Sequence, residues 1–390
     1  MTTKRVVVLG AGPVGLGAAL GALRRGHEVT VLEAVSPGAS LRRWGPTRFF
    51  SPLAMNLPPG AREVIGLDLP DDALLTGPEF ADQVLGPLCK VGPLAGKVQL
   101  GHRVIAIGRE GLCREDYAGH PLRAERAFRL LVDTAEGERT FTADVVLDAS
   151  GTYANPLPVG QGGLVAPGER ALGARILRDL GALHDVASSG SLAGRRVLLV
   201  GNGHSAANAA GVFEDLSRTS PQLHVTWVSR SPNLRPCLEV ASDPLSERQR
   251  VVSRANGLAA RPPAWLRMER RAWVEALEPL SGDALRARLS GGRTAEIDLV
   301  VSLTGYRPDL TALSGLGVAT SPVTEGAAGI ARAMANVTDC LCVPRVSPSD
   351  LASGEPGFFL VGAKSYGRAT TFLLQTGYQQ LETILDTIGG

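Results

Sequence analysis

The chain has 390 residues, enough for two domains with sizeable cores. Its 40 Lys and Arg nearly balance 38 Asp and Glu, leaving a net charge of +2 with neither the basic stripe of a nucleic-acid binder nor an acidic solvating tail. Forty-seven glycines, 5% aromatic residues and five scattered cysteines without a C-x-x-C suit a Gly-turned α/β protein and exclude a disulfide scaffold or a coiled coil.

The segment Arg5 to Glu33, RVVVLGAGPVGLGAALGALRRGHEVTVLE, has the order strand, glycine turn, helix, strand, acid. Val6 to Leu9 form a short apolar strand, Gly10, Gly12 and Gly15 the turn, and a helix runs to about Arg25. The three glycines serve the turn, close backbone approach to a pyrophosphate, and helix-on-strand packing, with Ala19 extending that packing. Gly26 ends the helix, Val29 to Leu32 form the next strand, and Glu33 stands where a carboxylate accepts hydrogen bonds from a ribose diol. Lys4 and Arg5 before an apolar run to Leu23 imitate a signal peptide or membrane span, but the strand-helix grammar accounts for the run. A cytoplasmic location with no membrane or nucleic-acid partner is expected.

The Gly/Pro-broken segment SPGASLRRWGPTRFFSP, from Ser36 to Pro52, has two readings of equal weight. Arg42, Arg43 or Arg48 meets phosphate charge under a Trp44 lid, or Trp44, Phe49 and Phe50 anchor a surface loop. Pro78 to Leu88 reads as an amphipathic helix, and Lys97 to Ile107 as strands in which backbone groups of Val104 hold adenine. Arg129 to Asp133 and Phe141 to Gly151 read as a hairpin and a return strand ending in Ala149, Ser150 and Gly151, small residues suited to passing under a cofactor. The next forty residues read as a crossover.

From Arg195 the opening grammar recurs in RRVLLVGNGHSAANAAGVFEDL and LHVTWVSRS. Gly201, Gly203 and Ala206 replace Gly10, Gly12 and Gly15, while Ser229 and Arg230 stand where the first unit has Glu33. Arg and Ser pair with a 2′-phosphate, so NADPH is favoured over NADH. His204 reads as a loop-packing or phosphate-contacting histidine rather than a base. Pro232 to Arg271 reads as a solvated loop or a substrate-facing insertion, with a short helical run from Trp265 to Leu277. Leu285 to Ser290 and Ile297 to Leu303 read as strands, the latter closing in Thr304-Gly305-Tyr306-Arg307-Pro308-Asp309. Gly357 to Gly362 is the last strand, followed by a loop carrying Lys364, Tyr366 and Arg368 and a helix from about Thr371 to Ile388. Cys340-Leu-Cys342 reads as a redox pair only at the cost of strain between same-face thiols on an extended segment, so the cysteines read as buried or incidental, and no metal is expected.

The paired fingerprints and SLTGYRPD resemble the two-dinucleotide-binding-domain flavoproteins, which include thioredoxin-reductase-like enzymes and single-component flavin monooxygenases. RRWGPTRFFSP and GEPGFFLVGAKSYGRATTFLLQTGY are similar to bacterial flavoproteins described as monooxygenases. The resemblance implies an α/β protein with two Rossmann-like domains, the NAD(P)H domain (190–304) inserted into an FAD domain made of 1–160 and 305–390. It maps FAD onto Gly10, Gly12, Gly15 and Glu33 and NADPH onto Gly201, Gly203, Ala206 and Arg230. The wider cofactor-binding set includes Pro13, Arg43, Trp44, Val104, Ser150, Gly151, Asn202, His204, Ser205, Ser229, Gly305 and Gly362.

The chain departs from the family in four places. It has no dithiol, and Val14 replaces the first-loop cysteine of some low-molecular-weight disulfide reductases. Tyr153 to Ala193 lacks the phenylalanine-glycine-histidine signature of flavin monooxygenases, and Gly362-Ala363-Lys364 stands where many members place an aspartate. Without thiols the expected activity is oxygenation of a small molecule at nitrogen, sulfur or another soft nucleophile, using O2 through a flavin C4a-hydroperoxide. Lys364 and Arg368 would then supply charge beside reduced flavin and Tyr366 a hydrogen bond, or these residues hold diphosphate or cap the last helix. Reduction of a disulfide, quinone or metalloid, or a non-catalytic flavin-bound role, stand as alternatives, and the oligomeric state is open.

Overall fold

The computed structural model describes residues 2–282 and 284–389. The chain forms two compact units. One comprises residues up to Leu41, Pro52–Asn155 and Tyr306 onward; the other comprises Arg42–Ser51 and Pro156–Gly305.

The first unit holds β1 (Arg5–Leu9), β2 (Glu28–Glu33), β3 (Val98–Leu100), β4 (Arg103–Arg109), β5 (Phe128–Thr134), β6 (Gly137–Ala143), β7 (Val145–Asp148) and a C-terminal strand Phe358–Leu360. The C-terminal strand, β7, β1, β2 and β3 lie in that order in one parallel sheet, while β4, β5 and β6 form an antiparallel one. Val6, Val8, Val146 and Leu147 are buried, as expected of parallel strands covered on both faces. Helix α1 (Pro13–Arg24) returns the chain between β1 and β2, burying Leu16, Ala18, Ala19 and Leu20. The C-terminal helix Leu374–Gly389 packs so closely on α1 that a methyl on Gly21 would lie 2.5 Å from Leu385, and Arg25 pairs with Glu382 and Asp386 at 2.8 and 2.7 Å.

The second unit holds β8 (Ile176–Leu177), α2 (Leu180–Ser188), β9 (Arg196–Val200), α3 (His204–Ser217), β10 (His224–Ser229), α4 (Ser246–Ala260), β11 (Leu266–Arg270), β12 (Val274–Pro279), β13 (Leu285–Leu289), β14 (Arg293–Ile297) and β15 (Leu299–Ser302). Its parallel sheet runs β11-β10-β9-β15-β8, and β12-β13-β14 form an antiparallel one. Trp227 and Phe213 sit fully buried in its core with Leu199, Val225 and Ala255.

Three stretches differ from the sequence expectation. Trp265 to Leu277 is not helical: it is β11 and most of β12, because β11 completes the sheet edge beside β10. The supposed loop from Pro232 to Arg271 contains α4, whose Val251, Val252, Ala255, Leu258 and Ala259 face the core at helical spacing. The crossover after Gly151 contains β8 and α2, so the second unit begins at Pro156 and also takes in Arg42–Ser51.

Candidate functional site

The two glycine loops have the same construction. In the first unit Gly10 donates its N–H to Leu32 O at 2.8 Å, and Leu16 N closes α1 on Gly12 O at 3.0 Å. In the second, Gly201 N donates to Val228 O at 3.2 Å and Ala207 N closes α3 on Gly203 O at 3.0 Å.

Each glycine has a separate reason. Gly10 adopts φ +95°, and a methyl there would lie 2.9 Å from Ala149 O. A methyl on Gly15 would lie 2.0 Å from Gly10 O, so the α1–β1 contact admits only hydrogen. Gly12 is the N-cap of α1 at φ −80°, ψ 179°, and a methyl there would meet nothing within 4 Å. That open side is the approach to the helix N-terminus, which no side chain caps. Gly203 repeats the pattern at the start of α3, uncapped and open, while Gly201 would collide with Leu303 O at 2.3 Å. Free N–H groups at a helix N-terminus bind phosphate, so both cradles fit a dinucleotide diphosphate.

Around the first loop, Glu33 ends β2 and accepts from Ala11 N at 2.7 Å and Val35 N at 2.8 Å. An ionised carboxylate has about four acceptor positions, so capacity for a ribose diol is left. His102 N donates to Glu33 O at 2.9 Å, which brings the start of β4, and Val104 with it, beside the acid. Pro13 is the first residue of α1.

Ser150 and Gly151 follow β7. Ser150 Oγ donates to Asp148 Oδ1 at 2.6 Å and accepts from Lys364 Nζ at 2.9 Å, while Lys364 Nζ pairs with Asp148 Oδ2 at 2.7 Å. Lys364 is 4% and Asp148 1% exposed. The residues expected to form a loop here are the short helix Ala363–Tyr366, N-capped by Gly362.

The expectation that Lys364 and Arg368 present free positive charge differs from the structure. Asp148 neutralises Lys364, and Glu325 takes Arg368 at 2.7 Å and Arg307 at 2.6 Å. Tyr366 is 2% exposed, its ring edge-on to Phe372 at 5.3 Å, and its hydroxyl has no hydrogen-bond partner among the described residues.

Val14, on the first turn of α1, is 6% exposed. Methyls on Gly362 or Gly377 would lie 3.1 and 2.8 Å from its side chain. Of the cysteines, Cys237 is buried, Cys89 and Cys340 are half-buried and Cys113 and Cys342 exposed, and burial pushes the Cys89 and Cys237 thiols up to about 12. Among the described residues no group of three or more His, Cys, Asp or Glu is arranged to hold a metal, and no helix is long and apolar enough to cross a membrane.

In the second unit Ala206 is fully buried, Ser205 follows His204 at the start of α3, and Asn202 Nδ2 donates to Pro236 O at 3.1 Å. The His204 ring meets Phe50 edge-on at 5.1 Å; desolvation and then the Arg248 guanidinium push its pKa down, against Asp243. His204 is nonetheless exposed, with its ring edge-on to Phe50. Ser229 is 1% exposed and its Oγ accepts from Ser231 N at 3.1 Å, so it is packed inside rather than offered to a 2′-phosphate; Arg230 is exposed. Gly305 adopts φ +99° and accepts from Leu157 N at 2.9 Å.

Arg43 and Trp44 are built into this second unit. Arg43 grips Asp179, the N-cap of α2, through Nε at 3.0 Å and Nη2 at 2.9 Å, and Trp44 packs on Phe49 at 4.8 Å. Sequence reasoning missed Trp227, whose Nε1 holds Gly201 O at 2.7 Å, and Asp148, whose only signal was a carboxylate closing an otherwise apolar strand.

The pyridine nucleotide-disulphide oxidoreductase family model matches residues 4–327. A ferredoxin–NADP reductase of Thermus thermophilus is 27% identical over 321 residues, covering 80% of this chain and 76% of that protein. The fold is similar to a bacillithiol disulfide reductase from Bacillus cereus (TM-score 0.71, 18% identity, 100% and 99% of the two chains covered). It is also similar to an ornithine N-hydroxylase from Kutzneria sp. 744 (TM-score 0.64, 16% identity, both chains covered 100%). With a family model spanning most of its length, the chain belongs to the pyridine nucleotide-disulphide oxidoreductase family and is an oxidoreductase whose cofactors are FAD and NAD(P)H.

Proposed function

We propose that this protein is an NADPH-dependent flavoprotein monooxygenase that transfers one oxygen atom of O2 to a small nitrogen, sulfur or other soft nucleophile. NADPH supplies two electrons, and the second oxygen atom leaves as water. The observation that carries this reading is Val14. The first turn of α1 holds a buried valine hemmed in by Gly362 and Gly377, with no thiol, and Cys89 keeps its proton through burial. A disulfide acceptor therefore finds no cysteine here to form a mixed disulfide with.

Bound FAD supplies two-electron exchange with NADPH and, when reduced, reactivity toward O2. The chain's own part is binding and orientation. Gly12 and the N-terminus of α1 receive the FAD diphosphate and Glu33 the ribose, with Gly10 and Gly15 setting the loop. Gly203 and the N-terminus of α3 receive the NADPH diphosphate, and Arg230 meets the 2′-phosphate. Lys364, tied to Asp148 and Ser150, fixes the turn at Ser150-Gly151.

A second reading is favoured by the ferredoxin–NADP reductase relative: electrons pass to a redox protein or a quinone without oxygen incorporation. The test is turnover with NADPH under labelled O2 in the presence of panels of amines and thioethers. Labelled product in step with NADPH consumption supports the monooxygenase. Anaerobic reduction of ferredoxin or quinone, with no labelled product from any panel member, supports the second reading.

A further inference from the structure

Arginines crowd the ends of β10 and β11 in the second unit, and they divide by what they hold. Arg267 and Arg293 share Glu269 at 2.5 and 2.8 Å. Arg270 is spent on the backbone, donating to Asn233 O at 3.2 Å and to Ala259 O. Arg230 and Arg271 differ from these: both are exposed, and neither guanidinium has a partner among the described residues.

The sheet brings these two together. β10 and β11 run parallel with Ser229 opposite Arg270, so Arg230 and Arg271 are the next residues out on adjacent strands. Arg271 N donates to Ser231 O at 3.3 Å and Ala272 N to Ser229 O at 3.1 Å, two bonds that bracket Arg230 on the neighbouring backbone. Adjacent strands lie about 4.8 Å apart, close enough for two long side chains to meet on one small anion.

Backbone geometry also marks Arg271. It adopts φ +47°, a left-handed conformation that is costly for a residue with a Cβ and that glycine takes freely. The bend is held there by Arg293, which donates to Arg270 O at 3.2 Å and to Arg271 O at 3.1 Å. A strained bend that carries an exposed, unpaired cation at the carboxyl end of a parallel sheet points to a use for the cation. Two guanidiniums on adjacent strands suit a dianion, since a phosphate monoester accepts from both forks. The end of the second strand of a dinucleotide fold is where the adenosine ribose lies.

We propose that Arg271 is a second determinant of NADPH specificity, closing with Arg230 on the 2′-phosphate; it rests on the reading of Arg230 as the residue that meets that phosphate. Each strand then supplies one fork, and the clamped bend at Arg271 fixes the second beside the first.

The experiment titrates NADP+ and NAD+, which bind without turnover, into full-length wild type, Arg230→Ala, Arg271→Gly and Arg271→Gln by calorimetry, with thermal unfolding of each protein. Arg271→Gly removes the cation and relaxes the left-handed backbone, while Arg271→Gln keeps a side-chain stem should glycine loosen the bend. The expected result is NADP+ bound about tenfold or more weakly by both Arg271 variants, NAD+ bound as by wild type, and a glycine variant that melts at or above the wild-type temperature. Unchanged NADP+ affinity in both Arg271 variants, or an equal loss for the two nucleotides, overturns the proposal, and a lost NADP+ preference in Arg230→Ala then leaves the Arg230 reading standing. If Arg230→Ala keeps the wild-type ratio of the two affinities, the Arg230 reading fails and this proposal with it.

Discussion

Gly12→Ala separates ligand binding from folding at the first glycine loop. Gly12 sits at φ −80°, ψ 179°, a conformation open to alanine, and a methyl there touches no protein atom within 4 Å. The apoprotein should therefore keep its stability to within about 0.5 kcal/mol, or gain up to about 1 kcal/mol from a stiffer unfolded chain. The same methyl projects into the approach to the α1 N-terminus. Displacing the diphosphate from two charge-assisted backbone bonds, each about 1.5–3 kcal/mol, costs about 3 kcal/mol or more, a loss of over roughly a hundredfold in FAD affinity. Gly15→Ala is the contrast. Its methyl would lie 2.0 Å from Gly10 O, so it should destabilise the apoprotein itself by about 1–3 kcal/mol, the usual cost of overpacking. Thermal unfolding of both apoproteins and a fluorescence titration with FAD measure the two effects. Wild-type FAD affinity in Gly12→Ala, or an apoprotein as unstable as that of Gly15→Ala, would refute the reasoning.

Four further outcomes are expected. Arg230→Ala should raise KM for NADPH about tenfold or more and leave NADH nearly unchanged, as for loss of one charge-assisted phosphate contact; steady-state kinetics with both nucleotides checks this. Iodoacetamide at neutral pH should label exposed Cys113 and Cys342 first and spare Cys89 and Cys237, whose thiols are held up to about 12, without loss of NADPH oxidation; peptide mass mapping beside the activity assay reads both. Lys364→Met should lower unfolding free energy by about 3–5 kcal/mol by stranding buried Asp148, measured by urea unfolding, and unchanged stability would show that the pair is not structural. The Arg196 hydrogen bond and charge hold the Asp298 carboxyl below its ordinary pKa, so this pair's stabilisation is present above about pH 4 and lost as pH falls through the depressed folded value; Asp298→Asn should flatten that acid limb in pH-dependent melting.

What was legible in the sequence is what neighbouring residues decide among themselves. The turn from β1 into α1 depends on contacts within a few residues, such as Gly15 against Gly10, so composition and spacing carry it. The recurrence at Gly201 was readable for the same reason. Burial and distant pairing were not. Ser229 and Arg230 are adjacent and polar, but the former closes β10 inside the core and only the latter is exposed. Arg43 meets Asp179 across 136 residues, so its charge looked available. Helix α4 carries so many polar residues that its apolar stripe does not stand out in the sequence, and the Trp265–Leu277 run is strand because β10 offers an edge to pair with.

The same distinction bears on the FAD site proposed for the first unit. Lys364, Arg368 and Arg307 are each met by a carboxylate: Lys364 by Asp148, and the two arginines by Glu325. Backbone N–H groups at the uncapped start of α1 are donors of another kind, beside a glycine with open space around it. Backbone donors are fixed by the fold and lose no side-chain entropy when a diphosphate arrives, whereas a free lysine would have to be ordered. These three side chains hold loops in place, and the proposed diphosphate site relies on peptide groups.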